Sequence, residues 1–562
     1  MDTSFSYRKI FPGNNVLVFI PHEDDEINIA GSTIYELKKE NFHVTCVYAT
    51  NGDHHYLAET RIAEAMNALR VLGVPSEDIV ILGYPDGGPG AASSPYARGI
   101  NSPINVDGHE ETYGIKGKSD FSMYLNGVHS PYTRKGFISD VEAVIEFFRP
   151  DVIIGIDFDS HPDHRACSIA LETAIGNLLN RKGNKYFPIV LKSYAYNTGF
   201  ESIPDFYEAH LYSTRFNRSR LSNTNYDTDN PTLEWKKRLR FPVARECRNH
   251  FLQKNILYKA MKWHVSQRAF MKAAQIINSD QVYWARRTDN LAFIGETKVS
   301  SGDGAALHDF KMIDTNDISR NKAVFDSTIW EPDKNDPEKT CTIFFDTKQD
   351  VSSIILYGNV EKESRILKSR ITLSNGYTID CGPLNINGTG TVIEFPEQRE
   401  IKWVQYRILK TEGNHPGLTE WEIFPPRATG SKFIKIMVDD NFAYDWTIYP
   451  NENPSIGLYT YGYDTDRPSI KWKLNESFST LTAINEAIKS CDSIIQIQAF
   501  DENDESVKDE ITLRPGSRIE ALCLKYRQFW DKVEVQLDNL KIKRKHHKLK
   551  QLKKQQKGKL DK

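Results

Sequence analysis

The sequence lacks the cysteine pattern of a disulfide-stabilised protein. Its seven cysteines, in a chain of 562 residues, are odd in number and scattered, and no two form a CxxC pair. Scattered cysteines of this kind are typical of reduced thiols in a cytoplasm. Their spacing also excludes a cysteine-based structural zinc site of the usual kind.

Long apolar segments are also absent. No run approaches the roughly 20 apolar residues that a membrane-spanning helix needs, and residues 1–15 contain no apolar centre of a secretion signal. From these absences and the scattered cysteines we expect a cytoplasmic protein. Bulk charge indicates no further class, because a formal net charge of −3 is close to neutral for this length.

The near-neutral sum hides a basic C-terminal tail. Residues 541–562 hold 11 Lys or Arg and one Asp, a net of +10, so the preceding residues carry −13. Such a tail is most often a solvated end, but it also fits anionic lipid head groups at the inner face of a membrane or non-specific RNA contacts. Its apolar residues are too few to predict a membrane anchor. We expect an anionic membrane surface as a candidate partner and no specific nucleic acid.

Strands and helices alternate in the first part of the chain. Apolar runs predict buried strands at 15–20, 43–50, 78–83 and 151–157. Helical spacing predicts helices at 27–40, 57–73, 137–148 and 255–277. This alternation is typical of a Rossmann-like α/β fold with a parallel sheet. In such sheets, ligands bind beyond the carboxyl ends of the strands.

From about residue 305 the pattern changes to short alternating runs separated by turn signals, which predicts β-sandwiches. The predicted domains are an α/β domain at 1–300, a β-sandwich at 305–427, a second β domain at 428–515 and a helical or disordered basic tail at 516–562. The first sandwich, which ends NHPGLTEWEIFPP, resembles galactose-binding-like (discoidin-type) domains, and this resemblance implies glycan binding through loops at one end. A purely structural role is the alternative. The second β domain looks immunoglobulin-like.

Two clusters of histidine and acidic residues follow the first and fourth predicted strands. The first is HEDDE at 22–26, and the second is HPDH at 161–164. Adjacent carboxylates repel one another unless a cation or a reaction needs them. Both clusters lie at the same edge of the predicted sheet, so we expect the fold to bring them together.

These residue types supply the parts of a metal-dependent hydrolase. Two His and one Asp can hold a zinc ion and leave a position for water, whose pKa the ion lowers towards neutrality. Another carboxylate can accept the water's proton, and another His, held by an Asp, can stabilise an oxyanion or protonate the leaving group. Each cluster alone is more often a solvated turn or a helix cap, but the pair at corresponding strand ends favours a site.

The segments PHEDDE and HPDH resemble the motifs of the glucosaminyl-phosphatidylinositol deacetylase (PIG-L-like) family. Members of that family are metal-dependent amidases that remove an acetyl group from N-acetylglucosamine units. Further matches are ETRIAEAMNALRVLGV at 59–74, LGYPDG at 82–87, HVSQ at 264–267 and DQVYWARRTDNLA at 280–292. The resemblance covers roughly residues 10–297 and implies a deacetylase domain there.

The resemblance also implies a role for individual residues. The implied metal ligands are His22, Asp25 and His164. The implied metal is Zn²⁺, with Fe²⁺ or another divalent ion as alternatives. Asp24 is implied to be the general base. His161 is implied to stabilise the tetrahedral intermediate or to act as an acid, with Asp163 orienting it.

Two further assignments and one departure complete the resemblance. Arg61 and Asp86 are implied to contact the sugar or its substituent. From the residues alone, Arg61 suits an ion pair on its own helix equally well, and Asp86 suits a plain Asp-Gly turn. Glu23 stands where the family usually has Pro. It adds a carboxylate but removes no ligand, so we expect activity to survive.

Residues 84–136 are rich in Gly, Ser, Pro, Tyr and Asn and show weak periodicity. A segment of this length is either a functional lid or poorly ordered. Its aromatic and polar side chains suit stacking and hydrogen bonding to sugar rings. These side chains are Tyr96, Arg98, Tyr113, Tyr124, His129, Tyr132 and Arg134.

The sequence therefore favours a zinc-dependent hydrolase acting on a linear amide, the acetamide of an N-acetylglucosamine-type sugar in a glycan, glycolipid or glycan precursor. One alternative is a carbohydrate-binding or scaffolding protein with a vestigial metal site. Another is a hydrolase of a different amide, such as a drug-like or thiol-sugar conjugate. The intact Asp24 and His161 weigh against the first alternative, because a binding protein needs no general base.

Overall fold

A computed structural model describes the chain at residues 5–87, 94–97, 100–157, 161–195, 200–201, 210–216, 237–249, 251–311, 329–359, 363–385, 390–426, 430–463 and 468–560. Three β-rich regions follow one another along the chain, and a long helix follows the third. The predicted fold class, a Rossmann-like parallel sheet followed by β-sandwich regions and a helical tail, is confirmed.

The first region is built on a seven-stranded sheet with the strand order β3-β2-β1-β4-β5-β9-β8. Its strands are β1 (Asn15–Ile20), β2 (His43–Thr50), β3 (Ile79–Tyr84), β4 (Val152–Ile156), β5 (Ile189–Ser193), β8 (Leu239–Pro242) and β9 (Asp280–Arg286). The short strands β6 (Phe200–Glu201) and β7 (Arg215–Phe216) pair with each other instead. Strands β1 to β5 are parallel, and β9 and β8 add an antiparallel edge.

Helices connect the parallel strands. The helices of this region up to β5 are α1 (Tyr7–Ile10), α2 (Asp25–Lys39), α3 (Ala58–Val71), α4 (Phe121–Asn126), α5 (Arg134–Phe148) and α6 (Pro162–Leu179). Strand β1 lies between β2 and β4, so the strand order reverses there. The loops from β1 to α2 and from β4 to α6 therefore meet at the carboxyl end of the sheet, which is the switch point where such sheets bind ligands.

The prediction of one helix over 255–277 is wrong. The structure has α7 (Ile256–Met261), a 3₁₀ turn (Ala269–Lys272) and α8 (Ala273–Ile276), with an irregular segment between α7 and the turn. That segment buries His264 and Ser266 completely or nearly so. The side chain of His264 contacts Glu26, and Ser266 donates hydrogen bonds to Glu64. These polar contacts replace the helix that periodicity alone favoured.

The insert at 84–136 is described except for residues 88–93 and 98–99, which include Arg98. The rings of Tyr96 and Tyr132 are buried in the core of the first region. Asp120, also buried, accepts hydrogen bonds from Thr112 Oγ1 and from the backbone N–H of Met123. Burial removes those two tyrosines from the set of rings that a sugar could contact.

The second region is a six-stranded β structure. Its strands are β10 (Gly295–Val299), β11 (Thr340–Gly358), β12 (Arg365–Leu373), β13 (Thr378–Cys381), β14 (Thr391–Glu412) and β15 (Leu418–Phe424). Register shifts interrupt the pairing of β11 with β14. The first part of β11 pairs with β10 and the last part with β15, so one long strand serves both sides of the core around Trp330 and Trp421. Strand β10 lies inside the predicted 1–300 domain, yet it joins this second sheet.

The third region holds a three-stranded and a five-stranded sheet, in the orders β17-β16-β19 and β18-β23-β22-β20-β21. The strands are β16 (Phe433–Val438), β17 (Asn441–Phe442), β18 (Asp445–Ile448), β19 (Ile456–Tyr461), β20 (Ile470–Leu474), β21 (Ser477–Ser479), β22 (Ile495–Asp501) and β23 (Lys508–Pro515). A helix, α9 (Leu481–Ile488), packs its Ile484 and Ile488 into the core between them. Strands β18 and β23 are parallel.

The chain continues as one helix, α10 (Arg518–Leu560). One face of α10 lies on the first region: Asp531 accepts the N–H of Leu252, and Asp538 accepts hydrogen bonds from Gln253 and Lys262. Val535 and Ile542 are buried in the core of the first region. In the described part of the chain, no helix is both long enough and apolar enough to cross a membrane.

Buried charged groups join the regions. In one joint, Arg240 of β8 contacts Asp280 of β9 through Nε at 2.7 Å and donates through Nη2 to the backbone oxygen of Asp440 in the third region. In another joint, Arg286 of β9 lies 3.5 Å from Glu172 of α6 and 3.2 Å from Glu422 of β15. The orientation of the sheets is thus fixed by specific ion pairs as well as by apolar packing.

Candidate metal centre

The N-termini of two helices, α2 and α6, lie at the candidate site. Helix α2 begins at Asp25 directly after the turn that follows β1, and α6 begins at Pro162 after β4. Proline is favoured at the first turn of a helix because its missing N–H has no intrahelical partner there. The Nδ1 atom of His161 caps α6 by accepting the N–H of Asp163. Both predicted clusters therefore lie at the switch point, as expected from their positions after strands.

Three predicted ligand atoms form a compact triangle. The distance from His22 Nδ1 to Asp25 Oδ2 is 3.2 Å, that from His164 Nε2 to Asp25 Oδ2 is 3.1 Å, and that from His164 Nε2 to His22 Nδ1 is 3.3 Å. All three residues are buried. Ligand atoms about 2.0–2.2 Å from a tetrahedral zinc ion lie about 3.3–3.6 Å from one another. The triangle is therefore close to the size that such an ion needs.

The other ring nitrogen of His22 faces carboxylates. His22 Nε2 lies 3.0 Å from Asp163 Oδ2 and 3.7 Å from Asp86 Oδ1. A histidine that binds a metal through one nitrogen commonly donates its other N–H to a carboxylate, which fixes the ring. Asp163 is well placed for this, and it also accepts the N–H of Gly87 at 3.0 Å. Among the residues that the structure describes, His22, Asp86 and Asp163 form one group that could hold a metal ion, and His22, His161 and His164 form another.

The distances distinguish the two partners of Asp163. Its Oδ2 atom lies 3.0 Å from His22 Nε2 but 4.0 Å from His161 Nδ1. In this structure Asp163 therefore orients His22 more directly than it orients His161. The His161 ring is half-buried, and its centroid lies 4.7 Å from the ring centroids of both His22 and His164.

The charges in the triangle depend on one another. Although burial disfavours the charged ring, the surrounding carboxylates, led by Asp86, hold the pKa of His22 well above its ordinary value. Burial likewise opposes ionisation of Asp25, yet His164 and His22 hold the pKa of its carboxyl well below the usual range. Positive charge on His22 is thus stabilised where a bound cation would supply positive charge instead.

Asp24 and Arg61 lie next to the triangle. Asp24 is buried, and its Oδ1 atom lies 3.4 Å from Arg61 Nη2. Burial and the neighbouring Asp25 raise the pKa of Asp24, while Arg61 opposes that rise. Arg61 is itself only 4% exposed and donates to the backbone oxygen of Glu23 at 2.7 Å. The structure therefore places the Arg61 guanidinium against the acidic loop; a direct contact with substrate stays a prediction.

Glu23 lies beside Arg61 and Gly52. Its carboxylate is fully buried, lies 3.6 Å from Arg61 Nη2, and makes no hydrogen bond through either oxygen within the described residues. Burial raises the pKa of this carboxyl to about 8 despite Arg61. Gly52 is required opposite it, because its φ is +59° and an added Cβ would lie 2.0 Å from Glu23 Oε2. The departure from the usual Pro thus adds a carboxyl beside Arg61 and leaves the ligands in place.

Sequence reasoning missed Asp53. Asp53 accepts the N–H of Asp86 at 2.9 Å and the hydroxyl of Tyr113 at 2.5 Å, so it holds the loop that carries Asp86. Its only signal in the sequence is its place directly after β2 and the Asn51-Gly52 turn. A carboxyl at the end of the strand next to β1 is the pattern that could have identified it.

The segment HVSQ was matched but received no role in the sequence analysis. His264 Nε2 lies 2.6 Å from Glu26 Oε1, and neither side chain is exposed. Ser266 donates to Glu64 through its hydroxyl at 2.6 Å. These contacts fasten the loop before α8 to α2 and α3, behind Asp24 and Arg61. The signal was present in Glu26, the last acidic residue of the first cluster, whose partner lies 238 positions away.

The basic helix α10 reaches the edge of the site. The ring of His546 lies 6.0 Å from that of Tyr56, and Lys553 Nζ lies 3.3 Å from Asp107 Oδ2. The Lys553 charge also acts on buried Asp53. The tail that the sequence left open as a solvated end is therefore, as far as residue 553, part of the wall beside the site.

Comparison with protein-family models gives two matches. Residues 17–175 match the family described as GlcNAc-PI de-N-acetylase (PIG-L). Residues 290–424 match a domain of unknown function, DUF7402, which spans β10 to β15. A search of curated proteins finds no match.

Several solved structures are similar to parts of the chain. An N,N′-diacetylchitobiose deacetylase from Pyrococcus horikoshii is 19% identical, with a TM-score of 0.23, over 33% of this chain and 62% of that one. The conserved protein TT1542 from Thermus thermophilus is 21% identical, with a TM-score of 0.21, over 32% of this chain and 67% of that one. The family 32 carbohydrate-binding module of Clostridium perfringens NanJ is 13% identical, with a TM-score of 0.19, over 24% of this chain and 94% of that one.

The family match includes the ends of β1 and β4, the starts of α2 and α6, and all three predicted ligands. The motifs, the switch-point position and the family model all indicate the same assignment. Over residues 17–175 the chain is therefore PIG-L-like, because this part matches the model of the GlcNAc-PI de-N-acetylase family.

Proposed function

We propose that this protein is a metal-dependent de-N-acetylase that hydrolyses the acetamide of an N-acetylglucosamine-type sugar in a glycan, glycolipid or glycan precursor. The observation that carries the proposal is the triangle of His22, Asp25 and His164, with edges of 3.1–3.3 Å, beside the carboxylate of Asp24. The match of residues 17–175 to a de-N-acetylase family supports the amide as the bond that is cleaved.

His22 Nδ1, Asp25 Oδ2 and His164 Nε2 are the atoms that would hold the metal. Two nitrogens and one carboxylate oxygen suit zinc, and imidazole also binds ferrous iron. A divalent metal bound there supplies Lewis acidity and lowers the pKa of water near neutral pH. Asp163, 3.0 Å from the other nitrogen of His22, holds that ring in place.

Asp24 is the group we assign as general base. It is buried next to Asp25, so its carboxylate lies beside the ligand triangle without belonging to it. In the forward reaction it accepts a proton from the attacking water. Arg61 Nη2, 3.4 Å from Asp24 Oδ1, favours the ionised carboxylate and opposes the rise in pKa that burial and Asp25 cause.

His161 is the group we assign to the other side of the acetamide. It is the more exposed of the three clustered histidines, and its ring lies against both His22 and His164. From this place an imidazolium can donate a hydrogen bond to the developing oxyanion and later protonate the leaving amine. Acetate and a free amino sugar are the products.

The test is acetate release from a panel of N-acetylglucosamine-containing substrates, with metal-loaded and chelated protein assayed in parallel. We expect metal-dependent acetate from at least one substrate. Asp24→Asn is expected to lower kcat by about 10²- to 10⁴-fold, because it removes the base, while bound metal stays stoichiometric. Asp140→Asn is the matched control: it makes the same exchange at a buried carboxyl on α5 and keeps the wild-type rate.

The outcomes separate the proposal from its alternatives. A wild-type rate in Asp24→Asn would refute its assignment as base. Stoichiometric metal with no acetate from any sugar would favour the carbohydrate-binding or scaffolding alternative. Acetate or another acid released only from non-sugar amides would overturn the substrate class and keep the hydrolase.

A further inference from the structure

Helix α10 presents two different faces. The face that lies on the first region contains buried or hydrogen-bonded residues spaced three and four apart; these are Gln528, Asp531, Val535, Asp538, Ile542, His546 and Lys553. This spacing is that of one side of an α-helix. The packed face explains how a helix of 43 residues is held on the protein.

The opposite face of α10 is apolar and exposed. Seven large side chains there are 48–73% exposed. They are Ile519, Leu522, Tyr526, Phe529, Trp530, Leu537 and Leu540, and we call them the apolar stripe. At about 100° per residue they fall within an arc of about 100°, roughly opposite the packed face. Apolar patches of this size on a soluble surface mark an interaction site.

The apolar stripe carries a basic border. Arg518, Lys525 and Lys532 follow one side of it at seven-residue spacing, and Arg527, Lys541 and Lys545 lie on the other; all six are exposed. Beyond Leu540 the same face of the helix continues as Arg544, His547 and Lys548. Of the four acidic residues of α10, Asp531 and Asp538 accept hydrogen bonds from the first region, Glu520 pairs with Arg514, and Glu534 is exposed within the border.

This charge pattern decides between occupants. If a second copy packed its stripe against this one in antiparallel fashion, the border of Arg518, Lys525 and Lys532 would face the same basic border. In a parallel pair it would face the row of Arg527, Glu534 and Lys541, in which two of the three charges are again basic. An acidic surface compensates the border in a way that a second copy does not.

We propose that α10 docks on an anionic membrane, lying in the plane of the interface with the apolar stripe inserted among the head groups. Leucine, phenylalanine and tryptophan on one face with lysine and arginine beside them are the composition of an interfacial helix. Tyr526 and Trp530 suit the boundary between apolar and polar layers. The anchor is thus the stripe at 519–540, upstream of the basic tail. The inference does not depend on the proposed deacetylase activity.

The experiment is co-sedimentation of the full chain with vesicles of phosphatidylcholine alone and of phosphatidylcholine mixed with phosphatidylglycerol. We expect binding to the mixed vesicles that weakens with added salt. The double variant Phe529→Glu/Trp530→Glu is expected to lower the vesicle partition coefficient by about tenfold or more. The reason is that two aromatic rings are no longer buried in the membrane when the helix binds. Both side chains are exposed, so the melting temperature should not change.

A matched control makes the readout specific. Phe478→Glu places one glutamate at an aromatic side chain that is 70% exposed on β21, outside α10, and should bind vesicles as the wild type does. Equal loss in this control, or no binding of wild type to mixed vesicles, would overturn the proposal. Concentration-dependent dimers that Phe529→Glu/Trp530→Glu abolishes would also overturn it, in favour of a second copy.

Discussion

Two buried arginines of the first region have opposite electrostatic surroundings. Arg240 faces one carboxylate, Asp280, at 2.7 Å, and its Nη2 atom donates to Ser213 Oγ and to the backbone oxygen of Asp440. Arg61 faces the carboxylates of both Glu23 and Asp24 at 3.4–3.6 Å. Its Nε and both oxygens of Glu23 have no hydrogen-bond partner within the described residues.

The difference separates a structural ion pair from a functional cluster. Arg240 is paired with a carboxylate and its nitrogens are hydrogen-bonded, as a buried pair requires if it is to hold a fold together. Around Arg61 the carboxylates outnumber the cation, and burial raises the pKa of Glu23 to about 8. A buried cluster that is short of positive charge is expected where a cation or a reaction supplies the rest.

The largest expected effect comes from breaking the balanced pair. Arg240→Ala leaves Asp280 buried without its cation and should lower the free energy of unfolding by about 3–5 kcal/mol. Urea unfolding followed by circular dichroism measures it. Arg181→Ala is the control, because Arg181 also pairs with carboxylates, those of Glu142 and Glu146, but at the surface. Arg181→Ala should lower the free energy of unfolding by about 1 kcal/mol or less. Similar losses in both variants would contradict the comparison.

The next largest effect is expected from a bound metal ion, which supplies positive charge to the acidic cluster next to Arg61. Zinc at about a thousand times its dissociation constant should raise the free energy of unfolding by about 4 kcal/mol, because the metal binds only the folded state. Thermal unfolding with and without metal measures it. Asp25→Ala removes one ligand of the triangle and should abolish the shift. A shift that survives in this variant would place the metal elsewhere.

The smallest effect concerns a buried carboxyl with no cation. Asp140 accepts hydrogen bonds from Tyr84 and Ser130, and burial raises its pKa to about 6 from an unperturbed 3.8. The folded state therefore holds this proton more tightly than the unfolded state. The protonated Asp140 carboxyl therefore adds about 3 kcal/mol to the free energy of unfolding below about pH 4, and this contribution is lost as the pH rises through about 6.

Asp140→Asn tests this pH dependence. The amide has no proton to lose, so the stability of the variant relative to wild type should rise between pH 4 and pH 7. Urea unfolding at pH 4, 5, 6 and 7 measures the two curves. Parallel curves would show that Asp140 ionises in the folded protein as freely as in the unfolded chain.

The parallel sheet and the position of the candidate site could be predicted from the sequence, because both depend on local patterns of residues. Apolar runs alternating with helical spacing predict β1 to β4, and polar residues directly after β1 and β4 lie at the switch point whatever the loops do. The β-sandwich regions were likewise predicted from period-two patterns and turn residues.

Other features depend on contacts that no local pattern shows. The helix predicted over 255–277 breaks because His264 meets Glu26, a residue far away in sequence. The bend that lets β11 pair with both β10 and β15 arises from register shifts against β14. The inward turn of Arg61 is set by the acidic loop after β1, which spacing on its own helix does not predict.

The joint at Arg286 has a mechanical consequence. Glu172 lies two turns along α6 from His164, and it contacts Lys192 of β5 at 2.6 Å and Arg286 at 3.5 Å. Arg286 in turn contacts Glu422 of β15. Part of a pull on the second region would pass through this pair to α6. The load would then reach the helix end that carries His164.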